Sequence, residues 1–366
     1  MGISGGVDSA VSAALLKEQG YDVVGVFIRT WHPDFIECNE EDERLDAMRV
    51  AAHLDIPFLT FDFSDVYKKE VADYMISEYK AGRTPNPDVM CNKEIKFGAF
   101  LDKAISMGAD YVATGHYADN KDLKLLKNKD ISKDQSYFLW TLKQGQLRKI
   151  LFPIGHLKKT QVRVLAKKFG LPVAEKKDSQ GICFLGAVDL KDFLKHYIKE
   201  KKGKVLNTEG KEIGYHSGVV FHTLGERHGF TITKKSPNDG AYYVVGKDIK
   251  KNILYVAQKN SKQSFFRHTH DYSGQSLSGS SASREKTAVL NFSINLKDIN
   301  WISEIPKKDK NYTAQIRYHG EFLPCKINIL NKKEAEIIFD RPVLVDAGQS
   351  CVIYDGDVCM GGGVIV

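Results

Sequence analysis

Short apolar segments alternate with helical segments in the first third of the chain, and this alternation constrains the fold more than any other feature. The runs YDVVGVFI, FLTFDF and DYVATGHY are typical of buried strands. Between the first two lies EDERLDAMRVAAHLDI, a predicted helix with Leu45, Met48 and Ala52 on one face. Such alternation predicts a doubly wound parallel sheet covered by helices, whose ligands bind beyond the carboxyl ends of the strands. A later segment, TQVRVLAKKFG, predicts a helix with Thr160 as N-cap and Gly170 just past its end.

The second half of the chain has a different sequence pattern, with shorter segments that favour strands. Beyond about residue 200, KINIL, AEIIFD and SCVIYDGDVCMGG predict antiparallel strands, with Asp355-Gly356 as a hairpin turn, and favour a small β-barrel. HTHDYSGQSLSGSSASREK is rich in Ser and Gly and predicts a flexible insertion. We therefore divide the chain into an α/β domain (1–193), a small central domain (194–258), the insertion (259–286) and a β-barrel (287–366).

The composition limits the class of protein. No apolar run approaches the ~20 residues of a membrane span and the N-terminus lacks a signal-peptide layout, so we expect a soluble, cytoplasmic protein with no membrane partner. The formal net charge of +7 permits a polyanionic partner without requiring one. Six cysteines in 366 residues are too sparse for a disulfide scaffold, and the absence of C-x-x-C pairs argues against a zinc site.

The stretch SGGVDS opens a predicted helix and has the features of a phosphate-binding loop. Gly5 and Gly6 let backbone amides approach an anion closely, and the helix adds its positive N-terminal end. Ser4 and Ser9 can donate hydroxyl hydrogen bonds, and Asp8 can hold Mg²⁺ against phosphate oxygens. No lysine follows, as one would in a Walker A loop. The alternative is a plain turn in which Asp8 or Ser9 caps the helix.

Two loops carry cysteines in polar, basic surroundings. In AGRTPNPDVMCNKEIKF, a stiff turn presents Asp88 and Cys91 before a helix predicted to begin near Asn92, a position that favours a thiolate. Asp88 is placed to act as a base or to contact a ligand N–H. KKDSQGICFLG carries Cys183, and two such thiols suggest a redox or sulfur-transfer pair. For Cys91 the alternative is a buried structural cysteine. Three other cysteines lie in predicted strands and are expected in the core: Cys325, Cys351 and Cys359.

A third loop, NKDISKDQSYFLW, places Lys133, Asp134 and Gln135 before aromatic residues. Basic and amide groups of this kind read phosphates and base edges in RNA. The alternative is a loop that leads into a core helix. The histidines scattered in YHSGVVFHTLGERHGF are expected to be hydrogen-bonded surface or core residues rather than ligands.

Together these motifs resemble the tRNA-specific 2-thiouridylases, a family within the PP-loop ATP pyrophosphatase superfamily. The matching stretches follow family order over nearly the whole chain: GISGGVDSAV, AGRTPNPDVMCNKEIKF, YVATGHY, KDQSYFL, LFPIGHL, KKDSQGICFLG, HTLGERHGF, KNILYVAQ and GGGVI. SGGVDS indicates only the superfamily, whereas NPDVMCNKEIKF together with GICFLG is highly specific. The resemblance implies an adenine nucleotide alpha-hydrolase-like N-terminal domain. It also implies a loop that holds ATP for attack at the α-phosphate, for which a γ-phosphate lysine is not needed.

The resemblance further implies a reaction. Family members adenylate the 2-oxygen of the wobble uridine in glutamate, glutamine and lysine tRNAs, then replace it with sulfur from a persulfide, giving 2-thiouridine, AMP and pyrophosphate. A separate protein donates the persulfide sulfur. By motif, Asp88 would be the acid–base group and Cys183 the persulfide carrier. Cys91 would release the sulfur and leave a Cys91–Cys183 disulfide, which a reductant opens.

Other positions carry over from the resemblance as binding residues. Asn86, Pro87 and Asp88 would meet the target base, and Asp8 would bind the Mg²⁺ that accompanies ATP. The implied ATP-binding positions are Gly2, Ile3, Ser4, Gly5, Gly6, Val7, Asp8, Ser9, Ile28 and Gly115. The implied tRNA contacts are His116, Lys133, Asp134, Gln135, Arg317, Tyr318 and Gln349.

The chain departs from the family pattern at several positions. Only Met1–Ile3 precede the loop, where family members carry a complete strand, so we expect either a truncated start or a very short strand. Gln180 stands where threonine is frequent, and Glu226 and His228 replace a glutamine and a lysine; we expect Glu226 to weaken tRNA binding.

Two other functions fit parts of the sequence. One is a PP-loop enzyme that adenylates a small carboxylate or base, which would need no cysteine pair. The other is an RNA-binding protein with a decayed ATP site, which would bind tRNA without consuming ATP.

Overall fold

The computed structural model describes residues 1–36, 39–177, 189–235, 239–258 and 291–366. These residues form an N-terminal α/β unit, a central sheet and a C-terminal β-barrel, so the predicted fold class is confirmed. Cys38, Gln180, Cys183 and the predicted insertion lie outside the described residues. Within the described ranges, no helix has the length and apolar character needed to cross a bilayer.

The first three residues complete the N-terminal sheet. Four strands form two parallel pairs, Gly25–Arg29 with Phe58–Asp62 and Val112–Ala113 with Ile150–Leu151. Between the pairs, the Gly2 N–H donates to the Ala113 carbonyl (2.9 Å) and the Ile3 N–H to the Val26 carbonyl (2.8 Å). A very short strand, Met1–Ile3, therefore precedes the loop and joins the two halves of the sheet.

Helices cover both faces of this sheet, as the β–α alternation predicted. One face carries Val7–Glu18, Glu40–His53 and Lys159–Lys168. Ile3 and Phe27 pack against these helices, whereas Val26 and Val112 pack on the opposite face against helix Phe100–Ser106. The other helical segments of this unit are Ser64–Tyr67, Lys68–Asp73, Tyr74–Lys80, Pro87–Met90, Cys91–Ala99, Ser136–Leu139 and Gln144–Leu147; Lys68–Asp73 and Cys91–Ala99 are π-helical.

Two details of the predicted helices differ in the structure. In helix Glu40–His53 the buried side chains are Ala47, Val50 and Ala51, whereas Leu45 and Met48 are 38% and 39% exposed. Small residues allow this helix to approach the N-terminal loop closely, and periodicity alone did not reveal which face is buried.

The other detail is the start of helix Lys159–Lys168. Its N-cap is Lys158, not Thr160, because the Gln161 side chain accepts the Lys158 N–H (2.8 Å). Its predicted end is confirmed, since Gly170 follows the helix with φ +62°.

The central unit is a five-stranded sheet preceded by helix Leu190–Lys195. Val205, Val244 and Leu254 are fully buried in its core. The strands lie in the order Tyr242–Asp248, Ile253–Gln258, Gly203–Leu206, Glu212–His216 and Phe230–Ile232, and a 3₁₀ turn covers Val219–Phe221.

The C-terminal unit is a closed antiparallel barrel. Its strands lie in the order Asn291–Trp301, Ala335–Val343, Leu323–Ile329, Tyr312–Gln315, Ser350–Asp355 and Val358–Ile365, and the last pairs with the first. Asp355 pairs with Val358, which confirms the predicted hairpin turn. A hairpin of the N-terminal unit, Ala118–Lys121 and Lys124–Lys127, extends the barrel sheet through Leu126 and Val358.

The three cysteines predicted to be core residues are indeed buried in the barrel. Burial raises the pKa of the Cys325 thiol to about 12, and it also raises the pKa values of Cys351 and Cys359. These thiols are therefore held protonated and are unsuited to sulfur chemistry.

A buried ion pair ties the three units together. Lys247 of the central sheet and Asp346 of a barrel loop are 6% and 5% exposed, and Nζ lies 2.6 Å from Oδ2. The same carboxylate oxygen accepts the Thr84 hydroxyl (2.9 Å) and the Leu224 N–H (3.1 Å), while Lys247 also donates to the Gly82 carbonyl (3.0 Å). We call Thr84, Lys247 and Asp346 the three-domain junction. It anchors the start of the loop that carries the predicted target-base residues.

Candidate functional site

The loop Ser4–Ser9 is pressed between a helix and the end of a strand. Gly5 has φ +72°, and a Cβ there would collide with the carbonyl oxygen of Glu43. On the other side, a Cβ on Gly115 would lie 2.8 Å from the Ser9 amide nitrogen. Helix Val7–Glu18 begins directly after Gly6 without a side-chain cap. Its first N–H groups therefore remain at the loop, where an anion can accept them.

The two loop serines differ in role. The Ser9 hydroxyl donates to the Gly6 carbonyl (3.0 Å) and accepts the Ser4 N–H (3.2 Å), so it shapes the loop from inside. The Ser4 hydroxyl is 3.3 Å from that of Ser9 and belongs to an exposed residue, which leaves it accessible to a ligand. Because Gly6 is the N-cap, the alternative in which Asp8 or Ser9 caps the helix does not hold.

Asp8 forms an ion pair with a lysine from outside the loop. The Lys159 Nζ lies 2.8 Å from each carboxylate oxygen of Asp8, and the Tyr117 hydroxyl donates to Oδ1 (2.6 Å). The Lys159 and Asp8 side chains are 13% and 31% exposed. One carboxylate suits Mg²⁺ that arrives with phosphates, since Mg²⁺ binds proteins through one or two carboxylates. In the described part of the chain no three His, Cys, Asp or Glu side chains are grouped to hold a metal by themselves.

The remaining predicted ATP-binding residues surround this loop. Gly2 and Ile3 lie in the central strand of the sheet, Ile28 is near the carboxyl end of its neighbour, and Gly115 follows the next strand. They therefore gather at the carboxyl edge of a parallel sheet, where open α/β folds bind ligands.

The predicted target-base residues form the start of a helix. Asn86 is its N-cap and accepts the Val89 N–H (3.2 Å), and Pro87 occupies the first position. The expected start near Asn92 is wrong, because the Asn-Pro pair is itself a helix start. Cys91 consequently lies a full turn inside the helix. It is 2% exposed within an apolar cluster, so the polar surroundings expected for it are also wrong.

Two tyrosines meet beside this helix start. Tyr137, from the N-terminal unit, packs in one buried cluster with Val89 of this helix, and its ring centre lies 6.2 Å from that of Tyr318. Tyr318, from the barrel, lies near two acidic groups, since burial and then the carboxylates of Asp134 and Asp88 raise its pKa. The structure thus brings predicted target-base and tRNA-contact residues from two units to one place.

Several predicted tRNA contacts point into the protein. The Asp134 carboxylate accepts two backbone N–H groups and the Ser136 hydroxyl (2.9 Å). Gln135 accepts the Tyr117 N–H (2.9 Å). Both side chains shape the loop that presents the partly exposed Lys133.

His116 and Arg317 are also turned inward. His116 is buried beside Thr114, whose hydroxyl is 2.7 Å from Nδ1. Burial, and then the Lys96 cation, lowers the pKa of His116 well below its usual value, so the imidazole is neutral. Arg317 donates to the Leu224 carbonyl (2.6 Å) and thereby links the barrel to the central unit.

Gln349 and Glu226 complete the set. The Gln349 Oε1 is buried and has no hydrogen-bond partner among the described residues. Glu226 forms an ion pair with Lys191 and accepts the Thr223 N–H (3.0 Å). The charge of Glu226 is therefore compensated within the protein. A compensated carboxylate repels tRNA phosphates little, so the reason for expecting Glu226 to weaken tRNA binding no longer applies.

Sequence reasoning missed Lys159, Tyr117 and Tyr137. Lys159 stands just after LFPIGHL, and its position two residues past a matched stretch was the available signal. Cys183, the predicted persulfide carrier, lies outside the described residues.

Comparison with known proteins assigns all three units. Family models described as "tRNA methyl transferase HUP domain", "tRNA methyl transferase PRC-barrel domain" and "Aminomethyltransferase beta-barrel domain" match residues 1–187, 191–258 and 292–365. The "tRNA-specific 2-thiouridylase MnmA" of Streptococcus mutans is 44% identical over 375 residues, covering 100% of this chain and 94% of the relative. That of Geobacillus thermodenitrificans is 44% identical over 374 residues, covering 100% and 93%.

Similarity to solved structures is weaker. The U34-tRNA thiolase NcsA from Methanococcus maripaludis is 19% identical with a TM-score of 0.34, covering 54% of this chain and 62% of that chain. An NMN synthetase from Francisella tularensis is 20% identical with a TM-score of 0.31, covering 49% and 64%.

Proposed function

This chain belongs to the family of tRNA-specific 2-thiouridylases, and from that premise we propose that it replaces the 2-oxygen of a wobble uridine in tRNA with sulfur at the expense of ATP. The substrates we propose are the glutamate, glutamine and lysine tRNAs. A separate persulfide-bearing protein supplies the sulfur.

One observation carries the proposal: Tyr318 of the barrel packs against the buried cluster that holds Val89 of the helix starting at Asn86, although more than two hundred residues separate the two in the chain. The three-domain junction anchors the same loop from the other side through Thr84. A base inserted at Asp88 would therefore contact side chains from two units at once. A site assembled in this way suits a large, folded substrate such as tRNA better than a small metabolite.

The first step is adenylation. The uridine 2-oxygen attacks the α-phosphate of ATP, and pyrophosphate leaves. The loop Ser4–Ser9 offers helix N-terminal N–H groups and the Ser4 hydroxyl to the phosphates, and Asp8 is the proposed protein ligand of the accompanying Mg²⁺. Adenylation converts a poor leaving group into AMP. Asp88 handles the uridine N3 proton as acid–base group, since it stands at the base-binding turn.

The second step is sulfur transfer. The terminal sulfur of a Cys183 persulfide attacks C2 of the adenylated uridine, and AMP departs with the 2-oxygen. The Cys91 thiolate attacks the Cys183 sulfur, so the persulfide bond breaks and its electron pair stays on the sulfur that remains on C2. A Cys91–Cys183 disulfide results, and a dithiol reductant supplies the two electrons that reopen it. The apolar cluster around Cys91 keeps water away from this exchange.

The test is a single-turnover reaction with unmodified glutamate tRNA, ATP, Mg²⁺ and a persulfide as sulfur donor, following AMP and 2-thiouridine together and pyrophosphate separately. Stoichiometric appearance of both supports the proposal. Cys91→Ser and Cys183→Ser should abolish 2-thiouridine while pyrophosphate still forms, whereas Cys325→Ser is the matched control in the barrel core. Full activity in both loop variants would refute the thiol-pair mechanism and favour a simple adenylating enzyme. Tight tRNA binding with neither product would favour an RNA-binding protein instead.

A further inference from the structure

The phosphate loop contains an electrostatic conflict that Lys159 resolves. Asp8 places a carboxylate in the first turn of the helix that is to receive a triphosphate. A bare carboxylate there would repel the phosphates, because like charges a few ångströms apart interact unfavourably in a partly desolvated site. The Lys159 ammonium lies 2.8 Å from both carboxylate oxygens and compensates that charge.

The contact is more than a surface ion pair. Lys159 is the first residue of helix Lys159–Lys168, its side chain is 13% exposed, and its Nζ lies 5.7 Å from the centre of the Tyr117 ring, whose hydroxyl donates to the same carboxylate. By contrast, Lys168 on the same helix is 65% exposed and lies 3.8 Å from Glu18. The helix dipole already stabilises a carboxylate in the first turn of a helix. The folded chain therefore does not need a buried lysine to stabilise Asp8.

We propose that Lys159 is a protein cation of the phosphate site, holding the Asp8 carboxylate and stabilising the charge of a bound triphosphate and of the pyrophosphate that leaves. This inference rests on the proposed ATP-dependent function. It means that the loop does have a phosphate lysine, delivered by a helix 151 residues further along the chain. Lys159 therefore supplies the charge that the loop sequence itself lacks.

The direct test is the binding of inorganic pyrophosphate in Mg²⁺-free buffer, measured by titration calorimetry on the full chain. Lys159→Met should weaken binding roughly 10- to 100-fold, the loss expected for a hydrogen bond to a charged group. Lys159→Arg should bind within about threefold of the parent, since it keeps the charge. Lys168→Met, the control on the same helix, should bind like the parent. Parent-like binding by Lys159→Met, or no binding by the parent chain, overturns the inference.

A second comparison separates a direct effect on phosphate from neutralisation of Asp8. Asp8→Asn should bind pyrophosphate more tightly than the parent, because a repelling charge is gone. Adding Lys159→Met to Asp8→Asn should then weaken binding roughly tenfold if the ammonium itself stabilises phosphate. Equal binding by Asp8→Asn and the double variant overturns that part of the inference. The double variant leaves no unpaired charge, so it carries the test if Lys159→Met alone does not fold.

These outcomes are independent of thiolation. If Lys159→Met loses pyrophosphate binding while the parent forms no 2-thiouridine, the phosphate-site assignment stands and the proposed function fails. If the parent thiolates tRNA and Lys159→Met binds pyrophosphate normally, the phosphate-site assignment fails and the proposed function stands.

Discussion

The three-domain junction makes a quantitative prediction about stability. Lys247→Met removes the ammonium paired with Asp346, whose carboxylate is 5% exposed and, among the described residues, keeps the Thr84 hydroxyl and the Leu224 N–H as donors. It also removes the Lys247 hydrogen bond from the Gly82 carbonyl. Breaking a buried pair in this way costs about 3–5 kcal/mol. Because a native domain is stable by only about 5–15 kcal/mol, we expect the units to separate well before global unfolding.

Trp140 offers a direct assay, since its indole N–H donates to the Ser350 hydroxyl of the barrel (3.1 Å). In a urea titration followed by tryptophan fluorescence, Lys247→Met should show an early transition that the parent lacks. Lys247→Met/Asp346→Asn should recover most of the loss, because a neutral amide can still accept from Thr84 and needs no counter-ion. Equal destabilisation of the single and double variants would refute the unpaired-charge argument.

A matched control is the exposed pair between Lys310 and Asp355, whose side chains are 46% and 32% exposed. Lys310→Met should change stability by less than about 1 kcal/mol, since solvent screens such pairs. If Lys247→Met lowered the free energy of unfolding by as little as this, the role assigned to the junction would be contradicted.

Three further predictions follow from the loop, the central sheet and the net charge. Gly5→Ala should abolish the thermal stabilisation by ATP, because the added Cβ would collide with the Glu43 carbonyl. Gly20→Ala, at φ +85° in open space, should lower the stability of the chain by only the ~1 kcal/mol of a left-handed residue. Equal loss of ATP stabilisation in the two variants would refute the clash. Burial, and then the neighbouring His222, lowers the pKa of His216 to about 4. The unfolded chain therefore binds this proton more readily, so stability should fall by about 3 kcal/mol as pH drops from 6.5 to 4. In acid titrations followed by circular dichroism, His216→Gln should reduce this dependence of stability on pH. An unchanged pH dependence would show that His216 does not cause it. The tRNA affinity should fall with salt at a log–log slope of about −0.7 to −0.9 per phosphate contact, and a flat dependence measured by filter binding would argue against backbone contact.

The fold class could be predicted because its evidence is local. Strand and helix periodicities in the N-terminal third, and alternation in the last strands, each span enough residues to be recognised. The central strand of the sheet could not, because Met1–Ile3 is too short to carry a period; its hydrogen bonds to Val26 and Ala113 define it. The choice of buried face on helix Glu40–His53 likewise depends on the neighbouring loop rather than on the helix itself.

The candidate site was predictable only in part, for a similar reason. The Ser4–Ser9 loop and the Asn86–Cys91 stretch are contiguous motifs and could be found by inspection. Lys159 could not be assigned to Asp8, since nothing in the sequence specifies which helix end meets the loop. The helix start at Pro87 is predictable from the Asn-Pro pair, whereas Cys91 and Asn92 carry no helix-start signal of their own. Charged residues such as Asp134 were expected at the surface, whereas backbone donors hold it inside.

The junction also has a consequence for how the protein is made. The Thr84 hydroxyl and the Asp346 carboxylate that accepts it are 262 positions apart. At about 5–20 residues per second of translation, roughly 13–50 s pass between the synthesis of these two partners. During that interval the nascent chain can form its N-terminal sheet, yet the loop bearing Asp88 and Cys91 lacks its anchor. A polypeptide released early, before residue 346 is added, would have a complete phosphate loop and an unanchored base site. Residue 346 must therefore be synthesised before the proposed base site can be anchored.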